Sequence, residues 1–152
     1  MRRRGRERGA ALVEMAVALP LLLLALVGAP DFGRMAYVSV AVSNAAAAGA
    51  RYGAHSSDSA GNLDGMKSAA LNDMGSHGTG RDLTVETERY CTCAPSDSAT
   101  SCESSCPVVA GYPTQPRMFV RVRVASTFDM LFKYPLLPKS VTISRQVLMR
   151  AQ

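Results

Sequence analysis

The chain has 152 residues, 47% of them apolar, and a formal net charge of +5. That length holds one small domain plus one membrane segment and excludes two independent cores. The charge alone would suit a nucleic-acid binder, but Arg2, Arg3, Arg4, Arg6 and Arg8 against Glu7 put four of the five net charges in the first nine residues, and a short basic tip beside an apolar run is a topology signal.

From Ala10 to Val27 the sequence "AALVEMAVALPLLLLALV" carries a single charge, Glu14, and extending it to Ala29 gives twenty residues. As a helix these span roughly 30 Å, the thickness of a hydrocarbon core. Arginines precede the run and only Asp31 and Arg34 follow closely, so the positive-inside rule puts the N-terminus in the cytoplasm and residues from about 30 onward outside. A carboxylate near the middle of a span costs about 2.5 to 3.5 kcal/mol, and still something appreciable one turn from its edge. Glu14, fifth in the run, therefore either reaches the headgroups or needs a partner. A cut after Gly9 would supply one, since the new amino terminus at Ala10 can meet Glu14 of a neighbouring, staggered subunit.

Beyond Pro30 the pattern stays helical, with Tyr37, Val38, Ala41, Ala45, Ala48 and Tyr52 at three- and four-residue spacing. One helix of about 40 residues is expected, bent where Pro20 or Pro30 removes a hydrogen bond and loosened at its end by Gly49 and Gly53. The small residues Ala41, Ala45 and Ala48 permit close approach of another helix, or packing onto the protein's own sheet. "AHSSDSAG" reads as a loop. A short second helix fits "NLDGMKSAALNDMG", with Asn62 as cap, Leu63, Met66, Ala70 and Met74 on one stripe, Gly65 weakening it and Gly75 ending it. "GSHGTG" then connects to three segments of period-two alternation, "DLTVETERYCTC", "RMFVRVRVAS" and "SVTISRQVLM", each with one apolar parity. Half-buried strands of this kind need a cover on one face, and the two helices are the covers available. The expected fold is α+β: a long N-terminal membrane-spanning helix packed on a small antiparallel sheet of about three strands. The corresponding division is a basic leader over 1–9, a transmembrane helix over 10–29, its exported continuation over 30–53 and an extracytoplasmic domain over 54–152.

All four cysteines, Cys91, Cys93, Cys102 and Cys106, lie in one polar loop on the side expected to be oxidising, and two disulfides are the natural count. A four-thiolate zinc site is the rival, though C-x-C and C-x3-C match zinc-ribbon pairs poorly. Nested pairing, Cys91 with Cys106 and Cys93 with Cys102, suits a hairpin; two other pairings are open.

The basic leader, Gly9, "AALVEMAVALPLLLLALVG", "DFGRMAYVSVAVSNAAAAGAR" and the C-terminal "PLLPKSVTISRQVLMRAQ" together resemble the TadE-like proteins, minor-pilin or pseudopilin components of the tight-adherence (Flp, type IVb) pilus machinery. The resemblance is strong over about 8–53 and weaker over 118–150. It implies a pilin-like fold, cleavage between Gly9 and Ala10 by a prepilin peptidase on the cytoplasmic side, and Glu14 at the position prepilins use for cleavage and assembly. The implied partners are that peptidase, other pilins, the tight-adherence secretion machinery and the cytoplasmic membrane. Gly33, Arg34 and Asn44 fall in the family's helical motif. The chain has Ala10 and Met15 where many prepilins place aromatic residues.

No hydrolase, metalloprotease or phosphate-loop motif occurs, and His55 and His77 stand in polar stretches, so catalysis, a metal and a cofactor are not expected. Arg121 and Arg123 alternate with valines and lack interleaved aromatics, which fits a solvated sheet face and not a nucleic-acid surface. Two other readings of the N-terminus compete: a secretory signal cut after Ala29, opposed by Pro30 at the new terminus, and an uncut single-pass anchor carrying a disulfide-stapled binding domain.

Overall fold

The apolar run and the alanine-rich stretch after it form one helix, α1, over Arg3–Ala54. The computed structural model describes residues 3–77, 81–133 and 138–152. Pro20 and Pro30 both sit inside α1, so neither ends it, and Arg51 in the last turn complements the negative end of the helix dipole. At 52 residues the helix exceeds the expected 40 because it starts within the arginine-rich leader.

The segment expected as a loop instead holds a five-residue helix, α2 (Ser57–Gly61), capped by the Ser56 side chain, which accepts from the Ser59 amide. Helix α3 (Leu63–His77) begins where the sequence placed its cap: Asn62 Oδ1 accepts from the Gly65 amide at 2.8 Å. Gly75 does not stop it, and of the expected "GSHGTG" connection residues 78–80 lie outside the described residues. Met66, Ala70 and Met74 are buried on the anticipated stripe, while Leu63 is 40% exposed at its end.

Four strands follow, one more than expected: β1 (Arg81–Cys93), β2 (Ser98–Thr100), β3 (Arg117–Asp129) and β4 (Ser140–Arg150). They form one antiparallel sheet in the order β2-β1-β3-β4. The alternation of β3 is realised residue by residue, with Val120, Val122, Val124 and Phe128 buried, and Ile143 of β4 joins them. Each such side chain contributes about 1.5 to 3 kcal/mol on leaving water. The opposite face carries direct cross-strand pairs: Arg121 with Glu88 at 2.8 Å, Arg123 with Glu86 at 3.8 Å, and Tyr90 stacked on Phe119. Both arginines are thus engaged by carboxylates on the sheet itself.

Helix α1 lies over β3 and β4, and α3 lies against α1 and over β1. Val38, Ala41, Val42, Ala45, Ala46 and Ala50 are the buried face of α1, so Ala41 and Ala45 serve its own core while Ala48 is half-buried outside it. Gly49 and Gly53 were expected to loosen the helix end, yet α1 runs through both and they lie where α3 crosses. A Cβ at Gly49 would stand 2.8 Å from the Met66 carbonyl oxygen, which leaves room for hydrogen only.

Because β3 runs against α1, the two ends of the sheet are distinct. Val120 and Met66 meet α1 at Gly53, near its C-terminus, whereas Phe128 meets it at Arg34. The last residues of β3 and the first of β4 therefore face the apolar half of α1, and the cysteine-bearing end of β1 faces away from it.

Candidate assembly site

The candidate residues fall at three stations of the fold. The first is the apolar segment. Among the helices of the described residues α1 alone is long and apolar enough to cross a membrane, and none of its most apolar window is buried within the fold. Leu12, Val13, Val17, Leu21, Leu22, Leu24 and Leu26 are all at least 60% exposed. Gly9, Ala10 and Glu14 lie together here on a shallow strip that continues through Val13, Val17, Ala18 and Leu21. Glu14 has no ion pair or hydrogen bond among the described residues, and a Cβ added at Gly9 would meet nothing within 4 Å. Nothing in the fold therefore requires a glycine at 9 or an acid at 14.

The second station is the junction where α1 first meets the sheet. Asp31 is only 5% exposed; its Oδ1 accepts from the Leu131 amide at 2.9 Å and its Oδ2 from the Phe132 amide at 3.4 Å. Arg34, one turn on, places a guanidinium nitrogen 3.6 Å from Asp31 and its head 5.2 Å from the centre of the Phe128 ring. Further along, Arg145 of β4 donates to Ser39 Oγ at 2.9 Å. Sequence reasoning used Asp31 only as a flanking charge, because its acceptors' partners lie 100 residues away and amide donors leave no residue-type signature. Arg34 acquires a structural role that the motif alone did not explain. Gly33 and Asn44 are exposed, and no contact distinguishes them.

The third station is the far end. Cys91 is bonded to Cys102 and Cys93 to Cys106, so the nested pairing is corrected to a crossed one, and the sulfurs are occupied as disulfides and not as zinc ligands. Strand register explains the crossing. Cys91 stands opposite Thr100 and Cys93 opposite Ser98, so the chain leaving β2 brings Cys102 back beside Cys91 and carries Cys106 on to Cys93. Closing loops of this size stabilises by roughly 3 kcal/mol each. Reduction is expected to loosen residues 91–106 while the α1–β3 core persists, with hydrogen exchange rising in that segment and helical circular dichroism holding; loss of the helix signal would contradict this separation.

No curated protein and no solved structure matches the chain. The model of one family, described as TadE-like protein, matches residues 9–51. The match covers Gly9, Ala10, Glu14, Asp31 and Arg34 and ends where α3 crosses α1, so the sheet and its disulfides lie beyond it. Over residues 9–51, then, the helix α1 is similar to the TadE-like proteins.

Proposed function

We propose that the protein is a minor-pilin or pseudopilin-like subunit of the tight-adherence pilus system, anchored in the cytoplasmic membrane by residues 10–29. In this reading residues 1–9 are a cytoplasmic leader, residues 30–53 continue the helix outside, and residues 54–152 are an extracytoplasmic domain without catalytic activity. A prepilin peptidase cuts between Gly9 and Ala10, and other pilins or the secretion machinery engage the helix that remains. The observation that carries this is an acid and a glycine within a bare apolar helix, in the family-matched segment, where folding uses neither. A charged group in lipid needs a partner, and one from outside the chain makes its cost conditional on processing or assembly. The continuity of α1 through Ala29 and Pro30, one residue before the buried Asp31, also speaks against a secretory cut there, which would sever the helix at its junction with the sheet.

Mass spectrometry of the mature N-terminus tests the reading: Ala10 as first residue is expected, whereas Pro30 would indicate a secreted domain and Met1 an uncut anchor. Glu14→Ala is expected to leave membrane insertion unchanged and to impair processing or pilus assembly. Wild-type pilus production by that variant would remove the role of Glu14. Gly9→Ala is expected to retain the parent melting temperature, since its Cβ meets open space, while the leader stays attached.

A further inference from the structure

The end of the sheet that faces the apolar helix is itself apolar where the chain leaves β3. Leu131 and Phe132, just after β3, are 59% and 46% exposed, and Phe32, next to Asp31 on α1, is 68% exposed. Between helix and hairpin runs an open cleft of about 420 Å3 lined by Leu24, Gly28, Phe32, Met35, Phe128 and Met130, with the Asp31 carboxylate at its edge. Leu24 and Gly28 belong to the apolar run, so the cleft is continuous with the surface that would contact lipid. Lys133 and Lys139, both exposed, stand just after β3 and just before β4, where the Met130 amide donates to the Lys139 carbonyl at 3.0 Å. With Arg34 they outnumber Asp31 and Asp129, the acids of the same end.

We propose that this end is a second membrane contact: Leu131, Phe132 and Phe32 seat in the interfacial layer of the bilayer, and Lys133 and Lys139 meet lipid phosphates. The inference rests on the reading of residues 10–29 as a span. Given that span, position follows from the helix rise. Asp31 stands two residues past Ala29, about 3 Å beyond the hydrocarbon edge, and the headgroup layer is about 5 to 7 Å thick on each side. Asp31 holds the Leu131 and Phe132 backbone by direct hydrogen bonds, so those side chains are tied to the same depth. Aromatic and leucine side chains gain from that layer what they would lose in water, and lysines there extend their ammonium groups toward anionic headgroups. A lipid surface suits three exposed large apolar side chains and two lysines at the end of the sheet nearest the apolar run. The contact also fixes rotation. A single helix can turn about its axis in a bilayer, whereas one attached to a second inserted point cannot, so the sheet would be held on one side.

The chain contains no tryptophan, so a single introduced one reports without background. The full-length protein is reconstituted at low density in phosphatidylcholine/phosphatidylglycerol vesicles as Phe132→Trp, as Leu22→Trp within the apolar run, and as Val108→Trp at the far end, where Val108 is 88% exposed. All three positions are exposed in the fold, and unchanged circular dichroism confirms that each variant is intact. Quenching by lipids brominated near the glycerol backbone or near the chain terminus then reads depth. The expected result is deep quenching of Leu22→Trp, shallow quenching and a blue-shifted emission for Phe132→Trp, and neither for Val108→Trp. Emission from Phe132→Trp matching Val108→Trp, with Leu22→Trp still quenched, overturns the second contact and leaves the span standing. An unquenched Leu22→Trp overturns the span and the contact with it. A blue shift of Phe132→Trp that appears only as protein density rises, without lipid quenching, shows that a second copy covers this end and overturns the lipid assignment.

Discussion

Gly49→Leu is expected to lower the stability of the folded domain by about 3 kcal/mol, a fall in melting midpoint of roughly 10 to 20 °C. The obstacle is backbone. Besides the Met66 carbonyl at 2.8 Å, a Cβ at this position meets Val122 Cγ1 at 3.1 Å and Ala70 Cβ at 3.2 Å, so α1 would have to lift from α3 and β3 together. Gly53 makes a useful contrast: a Cβ there runs into the Met66 thioether, the movable end of a flexible side chain, with Val120 Cγ1 next at 3.2 Å. Gly53→Ala should therefore cost less than Gly49→Leu. Thermal unfolding in detergent, followed by circular dichroism, checks the order. A midpoint for Gly49→Leu at the parent value would mean that α3 does not seat on this glycine.

Asp31→Ala is expected to cost about 2 to 3 kcal/mol, because it removes a charged acceptor from two backbone amides and leaves them without one. Arg34 adds little to this sum, being half exposed and 3.6 Å away. The loss should be local in its first effect. Hydrogen exchange at Leu131 and Phe132 should accelerate markedly, while the amides of Val120 to Val124 keep their protection until global unfolding. Asp31→Asn, with one carbonyl oxygen left, should fall between the parent and the alanine variant. Unchanged exchange at both amides in Asp31→Ala would show that the hairpin is held to α1 by other contacts.

Several parts of this architecture were legible in the residues and others were not, for physical reasons. The apolar run was plain because twenty residues with one charge have few soluble uses, and β3 was plain because Val120, Val122 and Val124 alternate with Phe119, Arg121 and Arg123. Asn62 was found because capping chemistry is local. Helix α2 was missed since "SSDSAG" has the composition of a turn and only one side-chain cap makes it a helix. Strand β2 has three residues, too few to show any period. The cysteine count was readable but not the crossing, which depends on a strand register that places Thr100, and not Cys102, opposite Cys91. Gly49 was misjudged because low helix propensity and close helix approach put the same residue in the sequence. At the candidate site Gly9, Ala10 and Glu14 were singled out by chemistry that needs lipid. Asp31 stayed hidden, because what it binds is backbone.

One consequence follows from α1 being a single element from Arg3 to Ala54. In the proposed anchoring its first half lies in lipid, and the 24 residues from Asp31 to Ala54 form a stiff lever of about 35 Å with the crossed disulfides at its outer end. A lean of about 20°, ordinary for a membrane helix, displaces that end sideways by roughly 12 Å. In that arrangement the direction in which the cystine-rich cap is presented to its surroundings is chosen at the lipid surface and relayed without any moving joint.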